Sequence, residues 1–330
     1  MPKFTWISIF LVFCLGHAAS GQLVWPTESK AFAQGKPRSE FIQPTVSGVP
    51  KSGEFGDVRN NGYRFHEGID IKPVRRNRKG EPLDDIYAAM DGRVAMVNRI
   101  AGNSSYGRYV VLVHPHLDVE IYTLYAHLAE LDASIVKGIE VKSGSRLGKM
   151  GRSATYAIGW AQAHLHFEVG LRLSDSFDKW YRTQKYKEKN FFGNYNGMNL
   201  IGFDPLDFYE AAKENRLKRG IAGYLDSLPT ALVVRIYTRS TPQFVKIYPN
   251  LVYQNGNDCG WDIHFTWYGL PKKFERIKDP RLGAKEGDVE ILKYDAGQLK
   301  RKCRKMMKID KKGQCVPTRD LISTLRKIFL

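Results

Sequence analysis

The residues of this chain that could do chemistry are histidines and carboxylates set at spacings that suit a bound metal. His164-Leu165-His166-Phe167-Glu168-Val169 alternates polar and apolar side chains. On a β-strand that pattern sends Leu165, Phe167 and Val169 into a core and leaves His164, His166 and Glu168 on the other face. The two imidazoles would then have Cα atoms roughly 6–7 Å apart, too far to act as one group but suited to neighbouring roles around one ion. His66 and Asp70 also fall on one face of an extended chain, but with Cα atoms about 13 Å apart. Gly68 between them allows a bend, after which Ile69 and Ile71 can start a core strand. A helical pair is disfavoured by Gly68, by the two β-branched residues and by Pro73.

The eight histidines are not equal. His17 lies in the N-terminal segment, His114-Pro115-His116 reads as a turn after a strand, and His264 alternates with Ile263 and Phe265 as a structural or solvated residue. That leaves His66, Asp70, His127, His164 and His166. Three nitrogen or oxygen ligands with a fourth position open to water is the pattern of a catalytic zinc site. Zinc there would bring the pKa of its water toward about 7 and polarise a carbonyl. No His-Glu-x-x-His occurs, so the glutamate that handles protons in that class of metalloprotease is missing. Two further histidines can take its place, because imidazole titrates near neutral pH.

The elements that must position these residues sit in a chain of 330 residues, 43% hydrophobic and 26% charged, enough for one large or two smaller domains. The formal charge of +17 draws the molecule to polyanions, whether nucleic acid or an anionic cell wall or outer-membrane surface. The N-terminus chooses between them. Lys3 precedes an apolar run over residues 4–15, and small residues Ala18-Ala19-Ser20 follow. This reads as a secretory signal peptide over residues 1–20, too short for a stable membrane span, which needs about 20 apolar residues. Bulky Phe13 argues against a lipid anchor on Cys14. Export makes a nucleic-acid partner unexpected and places the protein in the periplasm, in the cell envelope or outside the cell. Cys259, Cys303 and Cys315 would remain, allowing one disulfide and one thiol; Cys303 and Cys315 are nearest in sequence, but spacing does not fix the pairing.

Residues 21–51 read as an extended lead-in. Short apolar runs then follow at turn-punctuated intervals over 86–89, 92–97, 109–113 and 120–125, the last leading to His127, which predicts a mostly β, antiparallel domain over 52–209. The basic stretch 72–85 reads as a solvated loop. Residues 173–203 read as an insertion whose aromatics cover core or line a groove. Asp204-Pro205 opens a helix expected to run through Arg219, within a helical linker over 210–229. A basic, β-rich unit should occupy 230–330, with strands at 232–237, 244–248 and 261–267 and a basic tail at 300–312 that is a helix or a disulfide-pinned arm.

Five segments in order resemble the lysostaphin/LytM-type zinc metallopeptidases: Phe65-His66-Glu67-Gly68-Ile69-Asp70-Ile71, Tyr87-Ala88-Ala89-Met90-Asp91-Gly92-Arg93-Val94, Tyr106-Gly107-Arg108-Tyr109-Val110-Val111, Leu124-Tyr125-Ala126-His127-Leu128 and His164-Leu165-His166-Phe167-Glu168-Val169. The resemblance covers roughly residues 52–172, with Asp204-Pro205-Leu206 similar to the segment that closes such domains. It implies a small antiparallel β fold with zinc in a groove, His66, Asp70 and His166 as ligands, and His127 and His164 as the pair that activates water and stabilises the oxyanion. The implied function is that of an exported zinc metalloendopeptidase hydrolysing bacterial peptidoglycan, with a divisome or wall-associated protein as a conceivable partner. Ala161-Gln162-Ala163 departs from the tight turn such relatives carry before the His-x-His, which bears on the shape of the groove wall. The alternative is a non-catalytic scaffold of this fold that binds cell wall or activates a separate amidase; relatives of that kind lack metal ligands, whereas all five positions are filled here. Asp91-Gly92-Arg93-Val94 and Gly144-Ser145-Arg146-Leu147-Gly148 resemble halves of a biotinyl or lipoyl carrier, but the modifiable lysine of such domains is missing.

Overall fold

The computed structural model describes residues 23–59, 64–254, 259–278, 281–300 and 306–330; the expected signal peptide and Cys303 lie outside these residues. The protein is mostly β. Its main sheet has seven antiparallel strands, running in space from Leu200–Phe203 through Leu165–Arg172, Ile121–Leu128, Arg108–His114 and Gly92–Asn98 to Glu140–Val141. Ile69–Ile71 pairs with the first half of Leu165–Arg172, on the same edge that Leu200–Phe203 takes further along.

The central strands are covered on both faces, which is why Ile121–Leu128 reads as a nearly continuous apolar run. Leu165, Phe167, Val169 and Leu171 face the large core with Val110, Leu112 and Tyr125. Tyr109, Val111, Val113, Tyr122, Leu124 and Ala126 form a second cluster on the other face. A small sheet of Asp85–Tyr87, Arg146–Lys149 and Glu130–Leu131 lies alongside. The lead-in is anchored by rings: Trp25 stacks on Phe32 at 4.7 Å and meets Tyr209 edge-on at 5.1 Å, against the helix Pro205–Lys213.

Two expectations are corrected. The helix opened by Asp204, whose carboxylate caps Leu206 N–H, stops at Lys213. Asn215 adopts left-handed backbone (φ 58°), and the chain continues as a 3-10 turn at Arg216–Arg219 and a separate helix at Gly220–Ser227. Phe244-Val245-Lys246-Ile247-Tyr248 is not a strand but carries the helix Gln243–Ile247. Pro242 fixes the start of that helix, and the buried residues are Phe244, Val245 and Tyr248, an i, i+1, i+4 set that one helical face can bury.

The second sheet is ordered Val252–Gln254, Pro271–Arg276, Gly260–Phe265, Leu232–Tyr237, Val289–Tyr294. Trp261, Phe265 and Phe274 on this sheet belong to the same packed cluster as the main sheet, so the hydrophobic core is continuous across both. The last helix, Arg319–Ile328, buries Leu321, Leu325 and Ile328 in that cluster. In the basic tail, Met307–Ile309 pairs with Cys315–Pro317, and among the described residues Cys259 and Cys315 are free thiols. No described helix is long and apolar enough to cross a membrane.

Candidate metal centre

Strand pairing assembles the site. In the ladder His166 stands opposite Asp70 on one side and Ala126 on the other, which sets Asp70, His166 and His127 on three adjacent strands. His164 precedes the same strand and is held by a bridge to Gly151. Between the short strand Arg64–Phe65 and Ile69–Ile71 the chain breaks at residues 66–68, and this brings His66 back over Asp70. Gly68 serves by close approach: a Cβ there would lie 2.3 Å from the Phe167 carbonyl oxygen.

All five residues that sequence reasoning singled out come together, and all are buried. His66 Nε2 lies 3.0 Å from Asp70 Oδ1 and 3.1 Å from His166 Nδ1, and His166 Nδ1 lies 3.1 Å from Asp70 Oδ1. His164 Nε2 is 3.3 Å from the same carboxylate oxygen. The rings of His127 and His164 meet edge-on at 4.8 Å.

The outer nitrogens decide the tautomers, because each has an acceptor within hydrogen-bond distance, although at His66 Nδ1 the donor Arg59 Nη2 also lies 3.2 Å away. His66 Nδ1–H donates to Glu54 O at 2.8 Å, His127 Nδ1–H to Ser153 O at 2.8 Å, and His164 Nδ1–H to Gln162 O at 2.6 Å. His166 is turned the other way, with Nε2–H donating to Glu168 Oε1 at 2.9 Å. In its neutral form each imidazole therefore presents a lone pair inward. Three converging donor atoms at 3.0–3.1 Å are held together either by a proton on His166 Nδ1 or by a cation among them. Tetrahedral ligands 2.0–2.1 Å from zinc lie about 3.3 Å apart, so the donor set of His66, Asp70 and His166 fits such an ion.

Charge is balanced around this point. Burial alone would raise the Asp70 carboxyl, but the imidazoles of His164 and His66 and the hydrogen bonds around it hold it well below the usual carboxylate range. Burial lowers His166, yet its bonds to Asp70 and Glu168 outweigh this and push it up to about 9. His127 is pushed well below the usual imidazole range by burial and by His164 and His166 beside it. Burial also lowers His66, against the pull of Asp70.

Several residues around the centre were not found from the sequence. Arg59 Nη2 donates to Asp70 Oδ2 at 2.7 Å, and the same guanidinium donates to Ser52 O. Glu168, the third polar residue of the His-x-His strand, is fully buried and accepts from Tyr106 OH at 2.6 Å and Tyr122 OH at 2.8 Å as well as from His166. These tyrosines lie 62 and 46 residues away, so only the alternation of the strand hinted at Glu168. The basic loop is not merely solvated: Arg76 donates to the carbonyls of Trp160, Ala161 and Ala163 and so ties down the segment before His164. His127 has φ 61°, left-handed backbone in a bulky residue, with its N–H held by Tyr106 O at 2.9 Å.

His114 is set apart. It ends its strand, with the turn starting at Pro115, and is fully buried between Asp91 O and Thr123 Oγ1. His264 pairs with Glu275 in the second sheet at 3.1 Å.

The centre opens into a cleft of about 720 Å³. One side carries Arg59, Arg64 and Tyr156, with the Arg64 guanidinium 5.7 Å from the Tyr156 ring centre. The other carries Tyr106, Tyr109 and Phe192.

The sequence profile of peptidase family M23 matches residues 64–178. No curated protein matches the chain. Among solved structures, a lytM protein of Ruminococcus gnavus is 24% identical, covering 45% of this chain and 47% of its own, with a TM-score of 0.30. The catalytic domain of lysostaphin, an antimicrobial peptidase of Staphylococcus simulans, is 17% identical over 48% of this chain and 89% of its own, with a TM-score of 0.30. A zinc containing peptidase from Vibrio cholerae is 21% identical over 48% of this chain and 37% of its own, with a TM-score of 0.25. This chain thus spans about half of the first of these proteins and less of the third. Residues 64–178, which hold all five of the ordered motifs, thus match peptidase family M23.

Proposed function

We propose that the protein is an exported zinc endopeptidase acting on the peptides of bacterial peptidoglycan. The observation that carries this reading is the convergence of His66 Nε2, Asp70 Oδ1 and His166 Nδ1 beside two further imidazoles whose Nε2 lone pairs face the cleft. His66, Asp70 and His166 would hold the zinc, which when bound supplies Lewis acidity to a peptide carbonyl and acidifies water.

His127 and His164 are the proton-handling groups. In the neutral form each offers an acceptor at Nε2, because the backbone carbonyls of Ser153 and Gln162 hold the proton on Nδ1. One takes a proton from the attacking water, and that proton passes to the departing amine as the C–N bond breaks. The other can hydrogen-bond the developing oxyanion only as an imidazolium, since its neutral tautomer offers no N–H to the cleft. Asp70, whose Oδ1 lies 3.3 Å from His164 Nε2, supplies the nearby negative charge that favours such a cation. The +17 charge would hold the enzyme on an anionic wall, and the apolar run at residues 4–15 would take it there.

The test is release of soluble fragments from purified peptidoglycan, with a chelator control and a His164→Ala variant. Chelator-sensitive release, accompanied by new amino groups and lost in the variant, is the expected result. A protein that releases nothing and binds no zinc would overturn the reading in favour of the scaffold.

A further inference from the structure

One wall of the cleft lies beyond the part of the chain that the family profile matches. Residues 185–199 follow the helix Phe177–Thr183 and contain only two 3-10 turns, yet they are held firmly. The Asn190 amide donates to Asp178 Oδ1 at 2.9 Å and Gly193 O at 2.8 Å, while its oxygen accepts from Phe192 N and from the Asn196 amide. Asn199 donates to Ser174 O at 2.7 Å and Asn194 O at 2.8 Å, and Lys327 of the last helix donates to Met198 O at 2.7 Å. A loop with this many internal bonds presents fixed side chains.

Those that face the cleft include Glu188, Phe192 and Met198. Phe192 lies 5.5 Å from Tyr109, Tyr109 lies 5.3 Å from Tyr106, and Tyr106 lies 5.6 Å from His166, a row of rings from the metal centre to the wall. In Lys185-Tyr186-Lys187-Glu188-Lys189 the acid alone lines the cleft, and the three lysines do not. Among the described residues the Glu188 carboxylate has no ion-pair partner.

We propose that residues 185–199 are a specificity wall and that Glu188 selects a peptide bearing a side-chain ammonium group, whose aliphatic stem lies along Phe192 and Met198. This rests on the peptide-cleaving reading of the same cleft. An alkylammonium side chain buries its methylenes on apolar surface and keeps its charge in water, where a carboxylate and an aromatic face both attract it. A solvent-exposed pair of this kind changes affinity by about 1.5- to fivefold.

The experiment uses the full chain and reads binding, not turnover. A fluorescently labelled tetrapeptide containing lysine and the same peptide with Nε-acetyl-lysine are titrated by anisotropy. The expected result is about 1.5- to fivefold tighter binding of the lysine peptide, with the preference lost in Glu188→Gln and the affinity for the acetylated peptide unchanged. Because the side chain is exposed and the variant isosteric, folding is not at stake. Equal affinity for both peptides, no binding of either, or a preference that survives Glu188→Gln overturns the proposal. Charge-selective binding by a protein that releases nothing from peptidoglycan would sink the peptidase reading and leave this one standing; turnover without charge selection would do the reverse.

Discussion

His166 and Asp70 stand directly opposite each other across an antiparallel ladder, with Nδ1 and Oδ1 3.1 Å apart. The pairing of Leu165 with Ile71 and Phe167 with Ile69 on the core side fixes that register, because a slip of one residue would turn the polar side chains inward. Replacing either His166 or Asp70 by Ala is expected to bring bound zinc from about one per chain to none. Elemental analysis of dialysed protein checks this.

Glu168 orients His166 by accepting its Nε2–H, and two tyrosine hydroxyls hold the carboxylate in place. Glu168→Gln keeps the volume but removes the charge and changes the pattern of acceptors. Zinc affinity should fall by about 10–100-fold, as measured by competition with a coloured chelator. An unchanged affinity would show that the ligand needs no such support.

Arg76 holds three carbonyl groups, those of Trp160, Ala161 and Ala163, in the segment that enters His164. Its bonds are partly exposed, so Arg76→Ala should cost only about 1 kcal/mol of stability. Hydrogen exchange and proteolysis at residues 158–164 should nevertheless rise clearly. Turnover should fall more than stability does, since misplacement of a catalytic group by about 1 Å can cost 100-fold.

The buried His114 predicts an acid-sensitive fold independent of the metal. Burial pushes its imidazole down to about 4, whereas the unfolded chain protonates it near 6.5. As the pH falls the unfolded state therefore binds the proton first. The stabilisation is complete above about 6.5 and is lost as the pH falls toward 4, by at most about 3 kcal/mol. Asp91 and His116, the charged neighbours, act in opposite directions and are minor beside burial. Urea unfolding at pH 7.5 and 4.5 should show a smaller pH dependence in His114→Asn than in the native chain.

The chemistry was legible in the sequence because it rests on a period of two. The alternation at 164–169 put His166 and Glu168 on one face, and Gly68 marked the bend between His66 and Asp70, where the fold adds a close approach to the Phe167 carbonyl. What was not legible comes from partners far along the chain. Arg59 reaching Asp70, Tyr106 and Tyr122 reaching Glu168, and Arg76 reaching Trp160 all depend on which loops the fold brings together. Phe244–Tyr248 misled for a local reason: five residues are too few to separate alternation from a helical stripe, and Pro242 was the better guide. The aromatics of residues 173–203 divided both ways, Phe177 and Tyr181 into the core and Phe192 onto the cleft.

The backbone of His127 carries a consequence for evolution as well as for catalysis. A left-handed conformation in a residue with a Cβ costs on the order of 1 kcal/mol, which Gly or Asn at that position would largely recover. Selection for thermal endurance alone would therefore drift toward variants that lose this imidazole. Laboratory evolution of a hardier protein would have to screen for turnover in every round, or it would enrich durable, inert chains.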